Sequence, residues 1–137
     1  MLISKKPYAI ERIISSASYL TAGGVGFVWL IIAAFLRKQV TQFIMYHITQ
    51  SIFISMGYFL FLILTKLIYN ILSIIPLVNI ISTKIFLIFN VSIIFNLSLL
   101  QIITSTVILY LAVTSFMGYY SYLPWISNII KGNTGLK

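Results

Sequence analysis

The chain has 137 residues, 61% of them hydrophobic and only 7% charged, with a formal net charge of +8 and a mean hydropathy of +1.09. So few charged groups cannot cover the surface of a water-soluble domain, so the composition predicts an integral membrane protein whose exterior faces lipid. The absence of cysteine excludes disulfides, thiolate nucleophiles and Cys-based metal sites. The basic residues stand singly or in pairs between apolar runs, which disfavours nucleic acid as a partner and marks them as helix ends meeting phosphate headgroups.

Residues 1–12 are short and basic. The apolar run from Ile13 to Leu36 would rise about 36 Å as a helix, enough to cross a hydrocarbon core of roughly 30 Å, and is too long for the core of a cleavable signal. Within it Ser18, Ala22 and Gly26 recur at four-residue spacing, a stripe of small residues that lets helix backbones approach closely. The glycine-rich GGVG at 23–26 lacks the Lys and Ser/Thr of a nucleotide loop, so it reads as a flexible point or a close packing site.

A second apolar run begins near Gln42 and continues to Thr65, with Lys66 placed to snorkel to the interface. Residues 67–83 are apolar but short and contain Pro76. They are expected to extend the second helix to about residue 75, with a fourth, short span as the alternative. The stretch 85–117 would rise about 50 Å as one helix, so it must tilt, kink or project beyond the bilayer. Asn90, Asn96, Gln101 and Thr104 run through it, either as interhelical hydrogen-bonding groups or as the lining of a polar path. In 118–131 the cluster Tyr119, Tyr120, Tyr122 and Trp125 reads as an interfacial aromatic belt, and Pro124 as the first-turn residue of a short surface helix. The expected fold is therefore all-α: one membrane domain over 1–137, with three long transmembrane helices (13–36, 42–65 and 85–117), four being possible, and interfacial ends. With three spans the nine basic residues divide almost evenly between the two sides, Lys5, Lys6, Arg12, Lys66 and Lys84 against Arg37, Lys38, Lys131 and Lys137, leaving orientation open.

The only histidine, His47, has no second histidine or cysteine beside it, and the only acid is Glu11. Neither a carboxylate pair, a metal set nor a Ser-His-acid arrangement can be assembled, so no enzyme, metal or cofactor is expected. His47, Gln50 and Ser51 fall at i, i+3 and i+4, one compact polar patch on a helix face near its start. Helix placement accounts for that patch better than proton relay at the bilayer midplane.

YHITQSI at 46–52, GYYSYLPWISN at 118–128 and ERIISSASYL at 11–20 together resemble the family of the twenty-kilodalton subunit of Tic, the chloroplast inner-envelope import translocon, and its compact cyanobacterial and bacterial relatives. YHITQSI at 46–52 is similar to that family's pattern of aromatic, Asn or His, two-residue gap, Gln, small, aliphatic. GYYSYLPWISN at 118–128 resembles its C-terminal Gly, Tyr, aliphatic, Pro, aliphatic, Ser and acid, with Asn128 standing where the acid often is, and ERIISSASYL at 11–20 resembles its opening helix. Residue by residue, the likeness picks out Tyr46, His47, Gln50, Gly118, Tyr120, Pro124 and Ser127. It implies a multi-pass subunit in a plastid inner envelope or a cyanobacterial or other bacterial plasma membrane, taking part in a preprotein-conducting path. The partners it implies are other translocon subunits, further copies of itself and the preprotein. The alternatives are an ion or small-solute channel lined by Asn90, Asn96, Gln101 and Thr104, and a structural subunit without conduction.

Overall fold

In the computed structural model, which describes residues 7–94, 97–124 and 126–134, the chain is mostly helical. The order is α1 (Ala9–Leu20), α2 (Gly24–Phe35), α3 (Gln42–Leu72), α4 (Pro76–Asn90), β1 (Ser92–Ile94), β2 (Leu97–Ser98), α5 (Leu99–Phe116) and α6 (Ile126–Thr134). The strands form one short antiparallel pair, with Ser92 opposite Ser98. The all-α class holds, but among the described residues only α3 and α5, at mean hydropathies of 2.0 and 1.8, are long and apolar enough to cross a membrane. Two such helices replace the three or four expected.

The expected span 13–36 breaks because two consecutive residues adopt left-handed backbone, Ala22 at φ 53° and Gly23 at φ 90°. The Gly23 N–H returns to the Ser18 carbonyl at 2.6 Å and the Ala22 N–H to Tyr19 at 3.3 Å, a Schellman closure that satisfies the last carbonyls of α1. Thr21 Oγ1 then accepts the Val25 N–H at 3.0 Å, supplying one of the free donors at the start of α2. Each helix rises only about 18 Å, short of a bilayer core of roughly 30 Å. The same closure ends α2, with Arg37 at φ 49° and Lys38 N–H on the Ala33 carbonyl. Left-handed backbone costs a non-glycine residue roughly 1–2 kcal/mol, so Ala22→Gly is expected to raise stability by about 1 kcal/mol, as measured by thermal melting in mild detergent.

The expected helix 85–117 is interrupted as well. Asn90 ends α4, the strand pair follows, and α5 starts afresh at Leu99. The new start has a local cause: Ser98 N–H bonds Gln101 Oε1 at 2.9 Å and Gln101 N–H reaches back to Ser98 Oγ at 3.4 Å, a reciprocal cap of the Ser-x-x-Gln type. Upstream, α3 ends at Leu72 rather than near residue 75. Pro76 opens α4 instead of closing α3, in the first-turn position where a missing N–H costs nothing. The described part of α6 starts at Ile126, and the Ser127 N–H bonds the Leu123 carbonyl at 3.0 Å, closing a helical turn that contains Pro124.

The chain divides into two compact units, Met1–Ser55 with Ile108–Lys137, and Met56–Val107. In the first unit, α1 buries Glu11, Ile14, Ser15, Ser18 and Tyr19, a stripe at helical spacing that is polar at every position but one. Ile10, Ile13 and Leu20 of the same helix are exposed. The start of α3 buries the polar His47, Gln50 and Ser51 together with Phe43, Ile44 and Ile48, whereas Met45 and Phe53 are exposed. Polar groups inside and large apolar side chains outside is the arrangement that a hydrocarbon solvent favours. In the second unit α3 and α4 meet through Tyr69 and Phe86, whose rings stack at 4.4 Å.

Candidate functional site

The first unit encloses a hydrogen-bonded knot of side chains from α1, α3 and the segment around α6. Gln50, fully buried, is its hub. Its Oε1 accepts the Tyr19 hydroxyl at 2.6 Å and the Ser121 hydroxyl at 3.2 Å, while its Nε2 lies 3.4 Å from the Ser121 carbonyl and 3.3 Å from Ser127 Oγ. A carbonyl cannot donate, so the Ser121 carbonyl fixes which way the amide points. Tyr19 has a single hydroxyl proton. With that proton given to Gln50, His47 Nδ1–H is the donor across the 2.8 Å separation from Tyr19 Oη, which assigns the imidazole tautomer.

Tyr46 completes the knot from the preceding turn position of α3. Its hydroxyl donates to the Ser121 carbonyl at 2.6 Å and lies 2.9 Å from Ser127 Oγ. Ser127 Oγ also accepts the Leu123 N–H at 2.7 Å, tying the start of α6 to its own loop. Around His47 stand four aromatic rings, with centroids 4.4 Å away for Phe43, 5.2 Å for Tyr46, 5.7 Å for Tyr19 and 6.0 Å for Tyr120, the last stacked at 16°. Partial burial, followed by the charge of Glu11 and the neighbouring Tyr46, holds the Tyr120 hydroxyl above the ordinary tyrosine range. It remains neutral near pH 7.

Gly118 turns the chain from α5 into this site. It has φ 86°, its N–H bonds the Ser115 carbonyl, and the Tyr119 N–H bonds Thr114, the closure for which glycine is the usual residue. A β-carbon there would stand 3.1 Å from Arg12 Cδ and 3.2 Å from Pro7 Cγ. Ser51 is buried on the same helix as His47 and Gln50, but its hydroxyl bonds the Ile48 carbonyl of its own helix at 2.8 Å. Pro124 lies exposed in the turn before Ile126.

The small-residue stripe is split by the turn. Ser18 and Gly26 face each other across the α1–α2 hairpin, with the place of a Gly26 β-carbon 2.6 Å from Ser18 Oγ and 2.7 Å from Ile48 Cγ1. Ala22 is exposed in the turn itself. The residues considered for a polar lining bond locally: Asn90 to the Phe86 carbonyl, Thr104 to the Leu100 carbonyl, and Gln101 to Ser98. Asn96 and Trp125 lie outside the described residues.

Sequence reasoning missed Tyr19 and Ser121. Tyr19 was legible in principle, because Glu11, Ser15, Ser18 and Tyr19 form one polar helical face opposite Ile10, Ile13 and Leu20. Ser121 contributes through its backbone carbonyl as much as its hydroxyl, and no side-chain pattern announces that. Three buried polar atoms, Ser15 Oγ, His47 Nε2 and Ser115 Oγ, have no hydrogen-bond partner among the described residues. Among these residues no group of three metal-ligating side chains converges. Chemically the site is a set of neutral donors and acceptors locked to one another, suited to holding helices together. Compared with protein-family models, with curated proteins and with solved structures, the chain matches none of them.

Proposed function

We propose that the chain is a small multi-pass membrane subunit of a protein-import complex, in a plastid inner envelope or a cyanobacterial or other bacterial plasma membrane, contributing to a preprotein-conducting path. One observation carries this reading. The three stretches that resemble the twenty-kilodalton Tic subunit, separated in sequence, meet in a single buried knot: Tyr19 from the first, Tyr46, His47 and Gln50 from the second, Ser121 and Ser127 from the third. Short apolar matches arising by chance have no reason to supply one another's hydrogen-bond partners.

The apolar exterior supports membrane residence. Of the most apolar stretch of α3 only 6% is buried, and Phe59, Leu60, Phe61, Ile63 and Leu64 are all exposed, a surface that water would not tolerate on a free-standing domain. Two spans enclose no room for a polypeptide, so the path requires other membrane subunits or further copies of this chain. Chemical cross-linking in native membranes during import is expected to capture this chain in a larger complex together with preprotein. Recovery of the monomer alone, without substrate adducts, would overturn the assignment. Of the polar residues of the solute-channel reading, Asn90, Gln101 and Thr104 bond within their own segments, and no observation favours that alternative.

A further inference from the structure

The second unit contains a cavity of about 570 Å³ lined by residues of α3, α4 and the first turns of α5. Phe61 and Leu62 of α3, Ile85 and Phe89 of α4, and Leu100 of α5 contribute its apolar walls, and Lys66 and Asn70 border it one helical turn apart. The walls are pinned to each other by the Tyr69–Phe86 stack and by Tyr69 Oη at 3.5 Å from Thr83 Oγ1.

We propose that this cavity binds one phospholipid with an anionic headgroup, an acyl chain lying against the apolar walls and the phosphate engaged by Lys66 and Asn70. The proposal rests on the membrane residence argued above.

Three observations select this occupant. The first is apolarity: a half-open groove with apolar walls forfeits dispersion contacts unless something apolar lies in it. The second is size. The volume lies within the range of roughly 300–1,000 Å³ typical of small-molecule sites, whereas two turns of a partner helix, a cylinder about 11 Å across, already occupy ~1,000 Å³. The third is charge. Lys66 is the one charged residue in the lining, and the sole acid of the chain, Glu11, belongs to the other unit, so no carboxylate within the second unit can neutralise it. A phosphate can. The depth also fits: from Gln42 to Lys66 the helix rises about 36 Å, just past a hydrocarbon core of roughly 30 Å, which puts the ammonium at headgroup level.

The test is native mass spectrometry of the full chain in mild detergent, supplied with phosphatidylglycerol or phosphatidylcholine of identical acyl chains. Phosphatidylglycerol is expected to be retained at one molecule per chain, with about a fivefold preference over phosphatidylcholine, the scale of one lysine–headgroup attraction. Lys66→Gln is expected to remove the preference. Lys84→Gln, an exposed cation on α4 outside the lining, is expected to preserve it. Ile85→Trp, which fills the cavity, is expected to lose both lipids, with its circular-dichroism spectrum checked for a retained fold. Equal retention of the two lipids would overturn the proposal. So would a loss on Lys84→Gln as large as on Lys66→Gln, or a lipid-free dimer that Ile85→Trp converts to monomer. Alkaline carbonate washing of native membranes separates the two levels: a chain released by the wash defeats membrane residence itself, whereas a retained chain without headgroup preference defeats only the lipid site.

Discussion

Gln50→Leu is expected to lower the stability of the folded chain by about 3 kcal/mol. Leucine approximates the volume of glutamine, so the loss comes from hydrogen bonding and not from a cavity. The substitution strands the Ser121 hydroxyl, a donor to Gln50 Oε1, and removes the amide donor beside the Ser121 carbonyl and Ser127 Oγ. It leaves the Tyr19 hydroxyl to turn from Gln50 to His47 Nδ1 with the imidazole proton moved to Nε2, all in a site where Gln50 itself is fully buried. Each buried donor left without a partner costs roughly 1–3 kcal/mol. Tyr19→Phe is expected to cost only about 1 kcal/mol, since Gln50 keeps its bond from Ser121 and the imidazole of His47 can carry its proton on Nε2 once Tyr19 no longer needs it. Measured pairs in membrane proteins average about 0.6 kcal/mol because the unfolded chain in lipid also finds partners, and a hub is expected to exceed that average. Unfolding titrations from mild detergent into dodecyl sulfate give both numbers. If the two variants unfold at the same detergent fraction, Gln50 is not the hub.

The second large effect is expected at Gly26. Alanine there would place its β-carbon 2.6 Å from Ser18 Oγ and 2.7 and 2.9 Å from Ile48 Cγ1 and Cγ2. Neither neighbour can yield cheaply. The Ser18 hydroxyl is held by the Ile14 carbonyl at 2.7 Å, and Ile48 is a β-branched side chain with no exposed surface. Overpacking of this kind costs about 1–3 kcal/mol, and the upper part of that range is expected for Gly26→Ala. Gly57→Ala in α3 supplies the control, because its β-carbon would meet no atom within 4 Å. That change is expected to be neutral or slightly stabilising through helix propensity. The same titration compares them, and a Gly26 variant as stable as the Gly57 variant would show that α1, α2 and α3 do not meet as closely as described.

Composition alone requires exposed apolar surface, since so few charged groups cannot cover the chain, and the large side chains of α3 from Phe59 to Leu64 are exposed. The local spacing of His47 and Gln50 correctly places them on one face, since helical geometry needs no tertiary information. Continuity of hydropathy, by contrast, does not report backbone conformation. The run 13–36 is apolar from end to end, yet it folds back on itself because Ala22 accepts a left-handed conformation that its side chain does not advertise. The run 85–117 is broken by a cap at Ser98 and Gln101, two residues that read equally well as packing groups. Pro76 was visible in the sequence, but whether a proline ends one helix or opens the next depends on the turn before it. The knot itself joins residues whose sequence separations run from 28 to 81, beyond the reach of any periodicity.

Those separations divide the knot into two events in time. Tyr19 lies 28 and 31 residues from His47 and Gln50, so that half can close while the chain is still being synthesised. The groups that satisfy Tyr46 and the other side of Gln50 arrive 71 to 81 residues later. Throughout that interval α3 carries an amide and a phenol without their final partners, in a setting where an unmatched polar group is costly. Completion of the knot is thus a non-local step, and the segment from Ser121 to Ser127 closes the side of α3 that Tyr46 and Gln50 present to it.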